Sequence, residues 1–173
     1  FVGTKRGKEK ELVPKEGYPL YFDATNEHSL SMAGLNFPDN AVYQPRAEGK
    51  ENVAPFELVP FLLGTCRTVQ EAKQRLANVH VTACSFSEAL PVSPLHWMIA
   101  DRDAAIVVEP MADGLHIFDD PVGVLTNNPP FDQQMFRLND YMHLSAGNPE
   151  NRFSGKLKLE PYSRGMGALG LPG

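Results

Sequence analysis

Two asparagines stand where side-chain or main-chain amides could meet a developing negative charge. Asn36 closes the stretch AGLNFP, and Asn127 closes GVLTNNP. Each follows an apolar run that reads as a strand, and each precedes a turn ended by proline. Alternation along the first run places Leu30, Met32, Gly34 and Asn36 on one face, with Ser31, Ala33, Leu35 and Phe37 on the other. Pro38 removes a backbone donor and ends the pairing, so Asn36 falls on the last strand position. An amide there can donate to a carbonyl oxygen as it becomes an oxyanion, which is what acyl transfer requires. Asparagine is also a good turn residue, because it tolerates unusual backbone angles and caps its own chain. Local sequence leaves both explanations open.

Other chemistry is sparse. Cys66 follows an apolar run and Cys84 lies in VTACSFSEAL; neither has a neighbouring histidine or cation to make a thiolate. His28, His80, His96, His116 and His143 are scattered, without the spacing of a zinc site, and His96 reads as a packed core residue beside Trp97. There is no GxGxxG and no Walker loop. Asp119-Asp120 and Asp101/Asp103 read as turn carboxylates rather than a metal cage. The sequence therefore calls for no metal and no cofactor. The proline-punctuated loop CSFSEALPVSPLHW carries Phe86, Leu90 and Val92, which suits either the wall of an apolar ligand or a loop tucked onto the core.

The elements that must position these groups read as strands, helices, strands, helix. PLYFDATN and LSMAGLNF form a hairpin about Asn26-Glu27-His28, and 38–53 is a polar loop. Pro55 opens a helix through Phe56, Leu58, Val59, Phe61, Leu62 and Leu63 that stops at Gly64. Thr68 and Glu71 make a capping box for a second helix reaching Val79, antiparallel to the first. LHWMIADR, AAIVVEPMADG and LHIFDD are consecutive antiparallel strands, VGVLTN is a further short strand, and FDQQMFRLNDYMHL is a helix with Phe131, Met135, Leu138 and Met142 on one side. Residues 3–12 read as a charged loop, and the tail from Ser145 as glycine- and proline-rich loop. Antiparallel sheet with segregated helices predicts an α+β layered fold.

The 173 residues are one ordinary domain's worth. Hydrophobic residues at 42% and charged residues at 21% allow a real core. A net charge of -5 with no basic run argues against a nucleic-acid partner. The longest apolar candidate, FELVPFLLGTC, is broken by charge, proline and glycine, so no membrane span is expected. Two cysteines without secretory context suggest a reducing compartment. A start on Phe1 and a stop on Gly-Pro-Gly suggest a piece of a longer polypeptide.

Together, YFDATNEHSLSMAGLNFP, the helical pair, SPLHWMIAD, IVVEPMADGLHIFDDPVGVLTNNPPFD and YSRGMGALGLPG resemble the choloylglycine hydrolases, and more narrowly their bile salt hydrolase branch. The resemblance covers about Pro19 to Gly173, the central portion of such a domain, so 1–173 is read as a single domain. It implies an N-terminal nucleophile hydrolase with an αββα sandwich of antiparallel sheets between helical layers. It implies an N-terminal cysteine whose thiolate attacks the amide joining a bile acid to glycine or taurine, through a thioester. The main-chain N–H of Asn36, with its side chain as a further candidate, and the side-chain amide of Asn127 would form the oxyanion hole. Phe86, Leu90 and Leu95 would contact the steroid. The resemblance places the nucleophile, with an arginine and an aspartate near it, before Phe1, and a further arginine after Gly173. Arg164 does not match that arginine. A cytoplasmic bacterial homotetramer is the implied whole. Two other readings compete: a penicillin V acylase-like or acyl-homoserine lactone amidase, against which Asn36 argues, and a non-catalytic bile acid- or lipid-binding relative.

Overall fold

The computed structural model describes residues 19–169 and Leu171. The charged stretch 3–12 lies outside them. Contacts divide the chain into one unit ending at Phe131 and a second from Asp132 onward.

The first unit is built on a five-stranded antiparallel sheet of order β1-β2-β5-β6-β7. Its strands are β1 (Asp23–Thr25), β2 (Ser31–Asn36), β5 (Leu95–Ala100), β6 (Ala105–Met111) and β7 (Gly114–Asp119). The hairpin expected about Asn26 is β1–β2, with Ala24 opposite Met32. On its other side β2 pairs with β5 along its whole length, from Ser31 opposite Ala100 to Asn36 opposite Leu95. β5, β6 and β7 form the expected meander. Gly114 takes φ +139, a backbone conformation that residues with a Cβ rarely adopt, where the two-residue turn Ala112-Asp113 re-enters the ladder. The α+β class is therefore as expected.

Side-chain alternation sorts the sheet into two faces. Met32, Trp97, Ile99, Ile106 and Val108 share one buried cluster with Leu58, Val59 and Leu62 of α1 (Pro55–Leu63) and Val69, Ala72 and Leu76 of α2 (Val69–Leu76). Those two helices thus cover one side. Gly34 makes room for this packing: a Cβ there would lie 3.2 Å from the Trp97 indole nitrogen. Thr68 caps α2 as expected, its hydroxyl accepting the Glu71 N–H at 3.2 Å. The reciprocal bond goes one residue further back, from the Arg67 N–H to Glu71 Oε2 at 2.8 Å. The carboxylate of Asp101, in the β5–β6 turn, accepts the Val69 N–H at 2.7 Å and the Asp103 and Ala104 N–H groups on its other oxygen.

Asn26 joins hairpin to helix. Its Nδ2 donates to the carbonyls of Leu63 (2.9 Å) and Cys66 (2.8 Å), while its Oδ1 accepts from the His28 and Leu30 N–H groups. One amide thereby satisfies the last carbonyl of α1 and one in the link to α2, and fixes the β1–β2 turn.

Four expectations fail, each for a local reason; one is the polar loop 38–53, whose last residues, Glu51–Val53, form a strand. The second helix ends at Leu76, and Val79 instead starts β4 (Val79–Val81), which runs parallel to β3 (Glu51–Val53) in a two-stranded ladder. Both strands are three residues long, too short to show a period in sequence. VGVLTN is not a strand. Asp120 Oδ1 accepts the Val122 N–H at 3.0 Å and the Gly123 N–H at 2.9 Å, turning the chain away from the ladder at Gly123, φ +68. Val122 and Val124 are exposed as a result. The last helix is shorter than expected: α3 covers Phe131–Arg137, and a 3-10 turn follows over Leu138–Tyr141. Of its expected apolar stripe only Phe131 is buried, while Met142 is 80% exposed. A short helix without a packed face has little to hold it.

The second unit, described by itself, is mostly turns with a 3-10 helix over Gly165–Leu169. Asn151 organises one bend, its amide donating to the Ser154 and Leu157 carbonyls. Phe153 and Tyr162 are exposed.

Candidate active site

Asn36 is the last residue of β2, exposed, and faces Leu95 across the ladder. The strand-end position expected from sequence is the one observed. Its surroundings are fixed on both sides. Phe37 donates its N–H to the Pro94 carbonyl at 2.8 Å. Tyr43 accepts the Leu95 N–H on its hydroxyl oxygen at 2.9 Å and donates that hydroxyl to the Ser93 carbonyl at 2.8 Å. Burial pushes the Tyr43 phenol up to about 12, so the hydroxyl stays protonated and keeps donating at any physiological pH.

Asn127 is exposed in the loop after β7, not at a strand end. The loop's shape comes from side chains. Asp120 folds its beginning, the Thr126 hydroxyl donates to the Asn128 carbonyl at 3.3 Å, and Glu109 accepts the Phe131 N–H at its far end. Asn40 Nδ2 then donates to Asn128 Oδ1 at 2.7 Å. Residue 40 lies four past Asn36 and residue 128 one past Asn127, so a single hydrogen bond joins the turns that follow the two asparagines. Sequence reasoning missed Asn40, for which there is no signal. It also missed Glu109, for which there is one: a lone carboxylate inside the apolar strand AIVVEPM.

The three apolar candidates fall on the loop before β5 and on the first residue of β5. Leu95 is half-buried at the start of β5, packed on the core cluster beside Asn36. Phe86 sits edge-on to Phe56 of α1, ring centroids 5.2 Å apart, in the loop that precedes β5. Leu90 shares that loop, is 48% exposed, and is held near Ser87 by paired backbone bonds. A small depression lined by Asp23, Thr25, Met32, Met98 and Ala100 lies at the opposite end of β2 from Asn36 and contains none of these residues.

Neither thiol is activated as a nucleophile. Burial raises the Cys66 thiol, and burial together with the Glu57 charge raises that of Cys84. Both lie within the chain, at positions 66 and 84. Among the described residues no group of histidine, cysteine and carboxylate side chains could hold a metal, and no helix is long and apolar enough to cross a membrane.

A family model described as linear amide C–N hydrolases, choloylglycine hydrolase family, matches residues 12–173. A bile salt hydrolase/transferase of Lactiplantibacillus plantarum is 53% identical over 158 residues, covering 91% of this chain and 49% of that protein. A conjugated bile acid hydrolase of Lactobacillus acidophilus is 39% identical over 172 residues, covering 98% and 54%. The crystal structure of a variant of conjugated bile acid hydrolase from Clostridium perfringens superposes with a TM-score of 0.81 at 37% identity, over 91% of this chain and 49% of that one. Penicillin V acylase from Agrobacterium tumefaciens, at TM-score 0.58 and 22% identity over 76% and 40%, shares the fold. The chain spans about half the length of the curated relatives it matches. It belongs to the choloylglycine hydrolase family of linear amide C–N hydrolases.

Proposed function

We propose that the protein containing this chain is a bile salt hydrolase, cleaving the amide that joins a bile acid to glycine or taurine. In this reading an N-terminal cysteine thiolate attacks the amide carbonyl carbon, and the carbonyl oxygen takes the negative charge. The C–N bond breaks, the amine leaves with a proton from the nucleophile's own α-ammonium group, and water then hydrolyses the thioester. The part assigned to this chain is the oxyanion side: the Asn36 main-chain N–H and the Asn127 side-chain amide donate to the developing oxyanion. Phe86, Leu90 and Leu95 offer apolar surface to the steroid.

The observation that carries this reading is the Asn40–Asn128 bond, which links the turns following two asparagines in a chain 53% identical to a bile salt hydrolase/transferase. The test is Asn127→Ala in the full-length protein, assayed on glycocholate, taurocholate and penicillin V. Loss of one oxyanion donor lowers kcat by roughly 10²–10³-fold. Faster turnover of penicillin V than of glycocholate by the unaltered protein sends the assignment to the acylase-type amidase instead. Failure to cleave any of these amides favours a binding protein. The whole protein is further read as a cytoplasmic bacterial homotetramer acting on a small-molecule substrate, with no nucleic-acid or membrane partner. Light scattering on the purified full-length protein checks the assembly.

A further inference from the structure

On the sheet face away from α1 and α2, a histidine–carboxylate pair is fully buried. His96 of β5 and Glu109 of β6 are both 0% exposed, and His96 Nδ1 lies 2.9 Å from Glu109 Oε1. Each partner also engages a different loop. The His96 ring stacks on Phe37 with centroids 4.3 Å apart and planes 4° from parallel. Phe37 is the residue directly after Asn36. Both carboxylate oxygens of Glu109 accept the N–H of Phe131, at 3.2 and 3.1 Å. Phe131 ends the loop that carries Asn127, and its ring packs on Phe118 at 5.7 Å.

Packing alone does not account for such a pair. Removing two ionisable groups from water costs free energy that apolar residues of the same volume would avoid, and His96 Nε2 is buried with no partner among the described residues. A buried polar pair does supply direction, since its hydrogen bonds admit only one arrangement of the segments it touches.

We propose that His96 and Glu109 are positioning residues for the oxyanion hole, holding the Asn36 end and the Asn127 end in one register. The proposal rests on the hydrolase reading above. His96 acts through Phe37 and sets the direction in which the chain leaves β2. Glu109 acts through Phe131 and fixes the far end of the Asn127 loop. The two are joined to each other, so displacement of one donor is resisted by the tether of the other. On the opposite side the Asn40–Asn128 bond closes the same loop pair.

The test uses Glu109→Gln and Phe37→Leu in the full-length protein, with three readouts. Turnover of glycocholate falls roughly tenfold to a hundredfold, as expected for misplaced rather than deleted donors, with KM unchanged. Alkylation of the nucleophilic thiol by iodoacetamide keeps its parental rate, because that displacement forms no oxyanion. Glu109→Gln adds less to the loss already caused by Asn127→Ala than it costs alone, because part of its effect runs through the Asn127 donor. Parental kcat in both variants overturns the proposal, as does an equal fall in turnover and alkylation, or full additivity with Asn127→Ala. Should Glu109→Gln fail to fold, Phe37→Leu alone decides, since it leaves the His96–Glu109 pair intact. An unaltered protein that cleaves no conjugated bile salt sinks the functional reading itself, whereas the other failures leave that reading standing.

Discussion

The strand that ends in Asn36 is paired residue by residue, from Ser31 opposite Ala100 to Asn36 opposite Leu95, whereas the loop that carries Asn127 has no ladder at all. One amide is placed by repeated backbone bonds that form together. The other is placed by a few individual side chains: Asp120, Thr126, Asn40 and Glu109. A ladder spreads its positional information over many weak contributions. A loop held by single bonds concentrates it. Loss of a single hydrogen bond should therefore cost less on the Asn36 side than on the Asn127 side, the Phe37 ring stacked on His96 being the one support beside Asn36 that the ladder does not replace.

The largest effect removes the nucleophile from both. Purified 1–173, whose two cysteines are internal with raised thiol pKa values, is expected to give no measurable cleavage of glycocholate or taurocholate. Turnover by that polypeptide would show that the family nucleophile is not needed and would make the comparison of the two amides irrelevant.

Within the full-length protein the comparison is sharpest between the asparagines themselves. Asn127→Ala takes the donor away. Asn36→Ala leaves the main-chain N–H in its ladder position, so its loss in kcat is expected to be only about tenfold, equivalent to about 1.4 kcal/mol of barrier. Equal losses would mean that the Asn36 side chain, not its backbone, is the donor.

Smaller effects separate the supports. Asp120→Ala frees the Val122 and Gly123 N–H groups and is expected to cost about 1–2 kcal/mol in denaturant unfolding, with a fall in kcat. Tyr43→Phe removes the bonds to Ser93 and Leu95 beside Asn36. It is expected to cost about 1 kcal/mol with kcat nearly unchanged, because the ladder still holds Asn36. A larger kcat loss for Tyr43→Phe than for Asp120→Ala would reverse the comparison.

The smallest effect concerns pH. The Val69 N–H, aided by those of Asp103 and Ala104, holds the Asp101 carboxyl below its usual range. A depressed native value means that the bond's contribution is complete above about pH 4, the ordinary aspartate value, and is lost as pH falls through the native value. The stability gap between the unaltered protein and Asp101→Ala should accordingly narrow with acid. A gap that stays constant down to the lowest pH at which the protein folds would exclude Asp101 as the titrating support.

The same contrast governs what could be read from sequence. β2, α1, α2 and the β5–β7 meander were legible because each carries a period or a cap: alternation through SMAGLN, Pro55 at a helix start, Thr68 at another. The Asn36 position followed from them. The Asn127 loop was misread as a strand because VGVLTN has the composition of one. What overrides it is Asp120, a carboxylate that looks like any turn residue until its two acceptor bonds are seen. Asn40 and Tyr43 act over 88 and 52 residues of sequence separation, and no local pattern announces a partner so distant. β3 and β4 are too short to show periodicity.

Asn26 has a bearing on how the molecule breathes. Its side chain ties the β1–β2 turn to the last carbonyl of α1 and to one in the link to α2, so neither segment can open without undoing bonds in the other. The amide protons of β2 and of α1 should therefore exchange with deuterium as one cooperative group, at one shared opening free energy. Asn26→Ala would divide that group into a faster-exchanging hairpin and a slower helix, and the strand that presents Asn36 would fray before the core beneath it loosens.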